Sequence, residues 1–223
     1  MEPARKRFDE LLKELREEVV EMGVMAENAV AESVEALIHK DLQKAQEVLE
    51  KDNDLDRKEL ELYSTCLVLI AREAPVAHDL RLIGSAMAVA TEFERVGDDA
   101  VSIAKKALTL PGEFPKAYAQ DLRELSEKSR AMLREAIRSF AEDRTDRLDA
   151  IIVADGEVDQ IWKRVRRRLK EDIRQHPDFV DVGFKLMQAF HHLEYVGDHA
   201  VSIAERLEFV QTGNLARFSR ARF

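Results

Sequence analysis

The stretch Phe93-Glu94-Arg95-Val96-Gly97-Asp98-Asp99-Ala100-Val101-Ser102-Ile103-Ala104 returns as Leu193-Glu194-Tyr195-Val196-Gly197-Asp198-His199-Ala200-Val201-Ser202-Ile203-Ala204. Nine of the twelve positions are identical at an offset of 100. Small and apolar residues recur every three or four positions (Phe93, Gly97, Ala100, Ala104), which is the period of one α-helical face. Upstream, Asp52-x-x-Leu55-Asp56 pairs with Asp155-x-x-Val158-Asp159 at an offset of 103. The offset changes around Pro75 and Pro177, where a loop absorbs the difference. The chain therefore reads as two homologous three-helix units. They divide at Pro111 to Pro115, giving residues 1–111 and residues 112–223 with a short basic tail.

Outward from this repeat the helical period continues, and prolines and capping residues punctuate it. A first helix fits Pro3 to about His39. Asp41 is a candidate cap for a second, ending near Arg72. A third runs from about Val76 to Leu110, and a fourth from Lys116 to Glu142. Thr145 is a candidate cap for a fifth, ending near Gln175, and Pro177 starts a sixth that ends near Gly213. The tail from Asn214 to Phe223 is basic and expected to fray. No strand pattern interrupts these elements. The predicted fold is all-α: six long antiparallel helices in two three-helix bundles.

Composition agrees and excludes several function classes. Among 223 residues, only 8 are Gly and 5 Pro, while 45% are apolar, so the chain is globular and rich in helix formers. Its 44 acids against 35 bases give a net charge of −9, which argues against nucleic acid as the main partner. The single cysteine, Cys66, excludes an internal disulfide framework. The N-terminal residues have no apolar core of a secretory signal, and no uncharged run approaches the roughly 20 residues of a membrane span. A soluble, cytoplasmic protein is expected.

An acid four residues from another acid is usually part of a solvated face. Four such pairs stand apart because they recur in both repeats: Asp52/Asp56, Glu94/Asp98, Asp155/Asp159 and Glu194/Asp198. Asp52 falls within the apolar stripe Val48, Leu55, Leu62, Cys66, Leu69, with Asp56 at its edge. Asp155 falls among Ile151, Val158, Trp162, Val165 and Leu169, and Glu94 lies beside the third helix's stripe. A buried carboxylate needs a partner. Gly97 and Gly197 each sit between two of the acids, although a mid-helix glycine costs about 1 kcal/mol relative to alanine. That suits a position where another helix or a bound group comes close. Two acids from each of two facing helices would bring four carboxylates together, a cluster that cannot stay fully ionised without cations. Oxygen ligands select hard or borderline metals. The competing reading is an ion-pair network with Arg57, Arg81 or Arg95.

The same residues carry a resemblance. Glu94 to Ala100 (ERVGDDA) and Glu194 to Ala200 (EYVGDHA) look like the repeated E-R-[IV]-G-D-x-A signature of the PhoU family, the phosphate-transport accessory and regulatory proteins. Pro75 to Arg81 (PVAHDLR) resembles that family's P-[VT]-A-x-D-L-R segment. The resemblance covers essentially the whole chain. It implies two three-helix bundles that bind metal, often as multinuclear clusters. The ligands would be Asp52, Asp56, Glu94 and Asp98 in one bundle and Asp155, Asp159, Glu194 and Asp198 in the other. Iron is favoured, with Mn, Mg, Zn or Ni as alternatives. It further implies a non-enzymatic, cytoplasmic, commonly homodimeric negative regulator of phosphate uptake and phosphate-regulon signalling. Its partners would be the phosphate ABC transporter ATPase and the phosphate-sensing histidine kinase, with the membrane reached only through them. Three departures stand out: Tyr195 replaces the usual Arg, Ser102 and Ser202 replace a frequent Asn, and PVAHDLR has no full second copy. The second bundle is thus less constrained to bind metal in the same way.

Two other classes compete. A carboxylate-bridged di-metal oxidase typically uses two Glu-x-x-His motifs. None of the six histidines has Glu three residues before it. A structural helical adaptor would use the same acids in ion pairs. Of the remaining residues, His199 reads as a surface or ion-pair histidine, with assistance to a metal as the alternative, His191 and His192 as packing histidines rather than ligands, and Asp79 as a first-turn acid. Arg81 reads as either an acid partner or a contact residue. Glu59 is a candidate extra ligand, with Trp162 at its repeat position. The basic run Lys163 to Lys170 reads as a solvated face or a docking patch for an acidic or membrane-proximal surface.

Overall fold

The computed structural model describes residues 3–214. Six α-helices make up most of them: α1 (Pro3–His39), α2 (Leu42–Glu73), α3 (Ala77–Thr109), α4 (Lys116–Glu142), α5 (Leu148–Gln175) and α6 (Val180–Thr212). Among the described residues there is no strand. Local chemistry accounts for the ends. Asp41 caps α2 by accepting from the Lys44 N–H at 3.0 Å. Gly213, at φ 75°, closes α6 in the left-handed region that glycine adopts freely.

Two expected starts differ. Thr145 does not cap α5; Arg147 is the N-cap residue and contributes no side-chain cap. Instead, the Leu148 N–H donates to the Thr145 carbonyl at 3.2 Å, and Arg144 grips Asp146 with two bonds of 3.0 and 2.9 Å, so residues 144–147 form a turn of their own. Pro177 opens a single 3-10 turn (Pro177–Phe179), and α6 proper begins at Val180. The tail after Asn214 lies outside the described residues.

The helices pack in an order that the sequence pattern does not give. Helices α1, α3, α6 and α4 form a closed ring, each touching the next, and α4 returns to α1. Helix α2 lies outside the ring against α1 and α3, and α5 lies outside it against α4 and α6. Each three-helix bundle thus contributes two helices to one four-helix ring. A continuous hydrophobic core runs through both, including Met22, Leu37, Leu62 and Phe93 on one side and Leu122, Phe140, Val165 and Phe190 on the other. Full burial of each such side chain is worth about 1.5–3 kcal/mol.

The buried carboxylates lie on the two seams between the halves. On the α1/α4 seam, Glu27 accepts from Arg130 at 2.9 Å and Arg134 at 2.7 Å. On the α3/α6 seam, Glu92 lies 2.7 Å from His199, and Asp99 lies 2.8 Å from His192 and 3.4 Å from His199. Burial by itself lowers the His199 pKa, but hydrogen bonds to Asp99 and Glu92, and their charges, outweigh it and lift the value to about 9. His199 and His192 are therefore structural partners of acids in the opposite half.

Candidate metal centre

Helices α2 and α3 pack so that the charges of both acidic pairs of the first repeat act on one another. Val48, Leu55, Leu62, Cys66 and Leu69 are all buried, as the period requires. Asp52 shares that face and is half-buried, and Asp56, one turn later, is exposed. On α3, Glu94 is half-buried and Asp98 is exposed. Gly97 lets the two helices approach: a methyl group there would come within 2.7 Å of Leu55 Cδ1 and 3.2 Å of Asp52 Oδ1. A cavity of about 290 Å³, lined by Glu32, Lys51, Asp52, Leu55 and Gly97 among others, adjoins this contact.

The charges of this set are uncompensated. Among the described residues, no lysine or arginine forms an ion pair with Asp52, Asp56, Glu94 or Asp98; Lys105 acts on Asp52 only through space. Arg57 pairs with Asp54, and Arg95 with Glu92. Arg81 donates its Nε–H to the Val210 carbonyl at 2.9 Å, so none of the three candidate arginines serves the cluster. Burial, then repulsion from Asp98, Glu59, Asp56 and Asp52, pushes Glu94 up to about 7. Burial, followed by Asp56 and Asp98, raises Asp52. Glu59, which accepts from the Thr91 hydroxyl at 2.7 Å, is thus electrostatically part of the group.

The second repeat holds the equivalent residues in different company. Asp155 sits half-buried among Ile151, Val158, Trp162, Val165 and Leu169, all buried. Lys163 lies 3.1 Å from Asp159, and His191 lies 3.6 Å from Glu194 while stacking on Trp162 at 5.3 Å. Burial, followed by the charge of His192, lowers the His191 pKa, although the charge of Asp198 acts the other way. Gly197 is roomier than Gly97: an added methyl would meet Met132 and Val158 at 3.5 Å, ordinary contact.

The donor chemistry of the first set fits hard cations: oxygen ligands only, on two adjoining helices, with their negative charge unneutralised. Among the described residues, no group of three or more His, Cys, Asp or Glu is already arranged to hold a metal ion. The fit is therefore one of donor type and charge, and the carboxylates would draw in on loading.

The PVAHDLR segment works elsewhere, at one end of the ring. Asp79, in the first turn of α3, accepts from Arg5 at 2.7 Å, and His78 lies 3.4 Å from Asp143 at the end of α4. Arg81 completes the end of α6 through Val210. A cavity of about 610 Å³ opens there, lined by Arg5, Asp9, Arg16, His78 and Asp79 among others.

Sequence reasoning did not find the Glu92–His199 and Asp99–His192 seam. Its signal is the offset of 100, at which the acids Glu92 and Asp99 recur as His192 and His199.

Comparison with known proteins finds relatives of the whole chain. The family model described as "PhoU domain" matches residues 19–107 and again 122–207. A phosphate-specific transport system accessory protein PhoU homolog of Rhizobium meliloti is 34% identical over 207 residues, covering 92% of this chain and 87% of that protein. A homolog of the same name from Pseudomonas putida is 32% identical, covering 95% and 83%. The crystal structure of PhoU from Pseudomonas aeruginosa superposes with a TM-score of 0.87 at 32% identity, covering 93% of this chain and all of that one. The phosphate transport system regulatory protein PhoU of Streptococcus pneumoniae gives 0.86 at 25% identity, covering 94% and 99%.

Proposed function

This chain belongs to the PhoU family, and on that premise we propose that it is a non-enzymatic, metal-binding negative regulator of phosphate transport and phosphate-regulon signalling. The observation that carries the regulatory reading is the double match: both repeats fit the family model, and relatives named as phosphate-specific transport system accessory proteins align along nearly the whole chain. Its partners, on this reading, are the phosphate ABC transporter ATPase and the phosphate-sensing histidine kinase, met in the cytoplasm by a homodimer. No helix of the described residues is long and apolar enough to cross a membrane. A pull-down with the full chain from phosphate-replete cells should recover the ATPase or the kinase. Recovery of neither argues against the proposal.

The uncompensated first-repeat carboxylates support the metal part of the reading over a purely structural adaptor. Asp52 and Asp56 from α2, with Glu94 and Asp98 from α3, would hold the cations. Asp155, Asp159, Glu194 and Asp198 would do so in the second bundle, where Lys163 and His191 must first give way. Bound cations, with iron favoured, supply positive charge that neutralises the carboxylates and ties one helix to the next. Gly97 keeps the approach to Asp52 open, and burial of Leu55 beneath it fixes the spacing of the two helices. Elemental analysis of the wild type beside Asp98→Ala and Asp198→Ala tests this; unchanged metal content in both variants sinks it.

A further inference from the structure

The outer faces of α2 and α5 are in register yet opposite in chemistry. At the offset of 103, buried Leu55, Leu62 and Cys66 match buried Val158, Val165 and Leu169. On the exposed side, Leu60, Tyr63, Ser64, Leu67 and Ala71 match Lys163, Arg166, Arg167, Lys170 and Arg174. The fold therefore does not ask for charge at these positions, because the equivalent helix carries apolar and small residues there. The five cations share one arc of α5, at the three- and four-residue spacing of a helix ridge, over about 16 Å. They occur in a chain whose net charge is −9.

The neighbours of this ridge restrict what can sit on it. Arg164 and Arg168 form a second row, engaged by Asp121 at 3.0 and 3.2 Å and, for Arg164, by Glu124 at 3.1 Å. Between the rows runs a groove of about 560 Å³, lined by Lys163, Arg164, Arg167 and Arg168, with Glu171 and Asp172 at one end. Lys163 is engaged by Asp159 and Arg174 by Glu171. Arg166 lies over the Trp162 ring at 5.9 Å. Among the described residues, Arg167 and Lys170 form no ion pair, and both are exposed. Acids thus flank the ridge at close range. A planar anionic surface would meet those acids along with the cations. A narrow rod of negative charge lying along the groove would meet acids only at the Glu171/Asp172 end, and a groove between rows of side chains is the shape into which a second helix packs its own ridge.

We propose that this face of α5 is the docking site for an acidic α-helix of a partner protein, seated with its carboxylates against Arg167 in the groove and Lys170 on the ridge beside it. The proposal does not depend on metal binding or on the phosphate-transport reading. Electrostatic complementarity of this kind sets partner choice and register, and it weakens with salt.

The test uses the full chain and two synthetic peptides of identical composition. One carries glutamates on a single helical face; the other has them shuffled around the helix. By fluorescence anisotropy the phased peptide should bind about tenfold more tightly than the shuffled one. The double variant Arg167→Glu/Lys170→Glu should abolish that preference, and Arg167→Ala/Lys170→Ala should weaken binding by a smaller factor. Lys13→Glu, at an exposed position of α1, should leave it unchanged. Equal binding of the two peptides overturns the proposal. So does equal loss in Lys13→Glu, and so does tighter binding to phosphatidylglycerol vesicles that the same double variant removes.

Discussion

The first and second repeats carry the same acidic pattern but different electrostatic states. In the first, Asp52, Asp56, Glu94 and Asp98 have no basic partner among the described residues, and Glu94 is pushed up to about 7. In the second, Lys163 lies on Asp159, and His191 lies beside Glu194. The residues around the motif, and not the motif, set its charge. Four positions after Asp56 stands Leu60, and four after Asp159 stands Lys163. The position of Glu59, which adds negative charge to the first set, is occupied by Trp162 in the second.

Metal removal should divide the two repeats most sharply. If the first set binds metal more tightly, saturating metal at about a hundredfold above the dissociation constant adds roughly 2.7 kcal/mol. That corresponds to a melting-temperature rise of roughly 5–10 °C in a chain of this size. Calorimetry with and without chelator should show most of this rise lost in Asp98→Ala and less in Asp198→Ala. Equal losses would mean that Lys163 and His191 yield without cost, and the contrast drawn between the repeats would collapse.

The seam where the repeats exchange acid for histidine offers a second cut. His199 has a folded pKa raised to about 9 from 6.5, so its contribution is complete below pH 6.5 and lost as pH rises through 9. A loss on the order of 3 kcal/mol across that window is expected in denaturant titrations. A His199→Gln variant should flatten the profile; an unaltered slope would remove His199 as its source.

How much of this was legible in the sequence differs by level. Prolines and Asp41 marked most helix ends, because a missing N–H and a capping carboxylate act locally. Thr145 misled because Arg144 and Asp146 make a competing local contact. The period also located the buried face of each helix, but a period cannot say what covers that face. The ring of α1, α3, α6 and α4 depends on contacts between the halves, and so does the role of Glu92 and Asp99. The eight acids were legible through repetition, whereas the imbalance between the two sets required knowing which side chains cross from one helix to the next.

Two smaller effects sharpen the comparison. Gly97→Ala should destabilise by about 1–2 kcal/mol, because its methyl group meets buried Leu55 and crowds Asp52. Gly197→Ala should be neutral or slightly stabilising, since the gain in helix propensity meets no clash. In the metal-free protein, Glu94 also makes stability fall as pH rises from about 4.5 to about 7, because its folded pKa lies above its unfolded one. Discounted for solvent screening, the effect is on the order of 1 kcal/mol, and Glu94→Gln should remove it. A Glu94→Gln variant with the wild-type pH slope would show the first-repeat cluster to be less coupled than its geometry indicates.

The α3/α6 seam has a consequence for how the halves choose each other. Its contacts are related by the internal repeat: Glu92 meets His199, and Asp99 meets His192, the same pair of positions read in both directions. Two copies of the first half, joined this way, would set Glu92 against Asp99 twice. Two copies of the second would set His192 against His199 twice. Only unlike halves satisfy the seam: self-pairing of the first half would set buried acid against buried acid, and self-pairing of the second would leave its histidines without an acid to pair with. Expressed as separate polypeptides, the halves should assemble with each other in preference to themselves. Covalent linkage raises their effective concentration; the acid-to-histidine exchange supplies the self-avoidance.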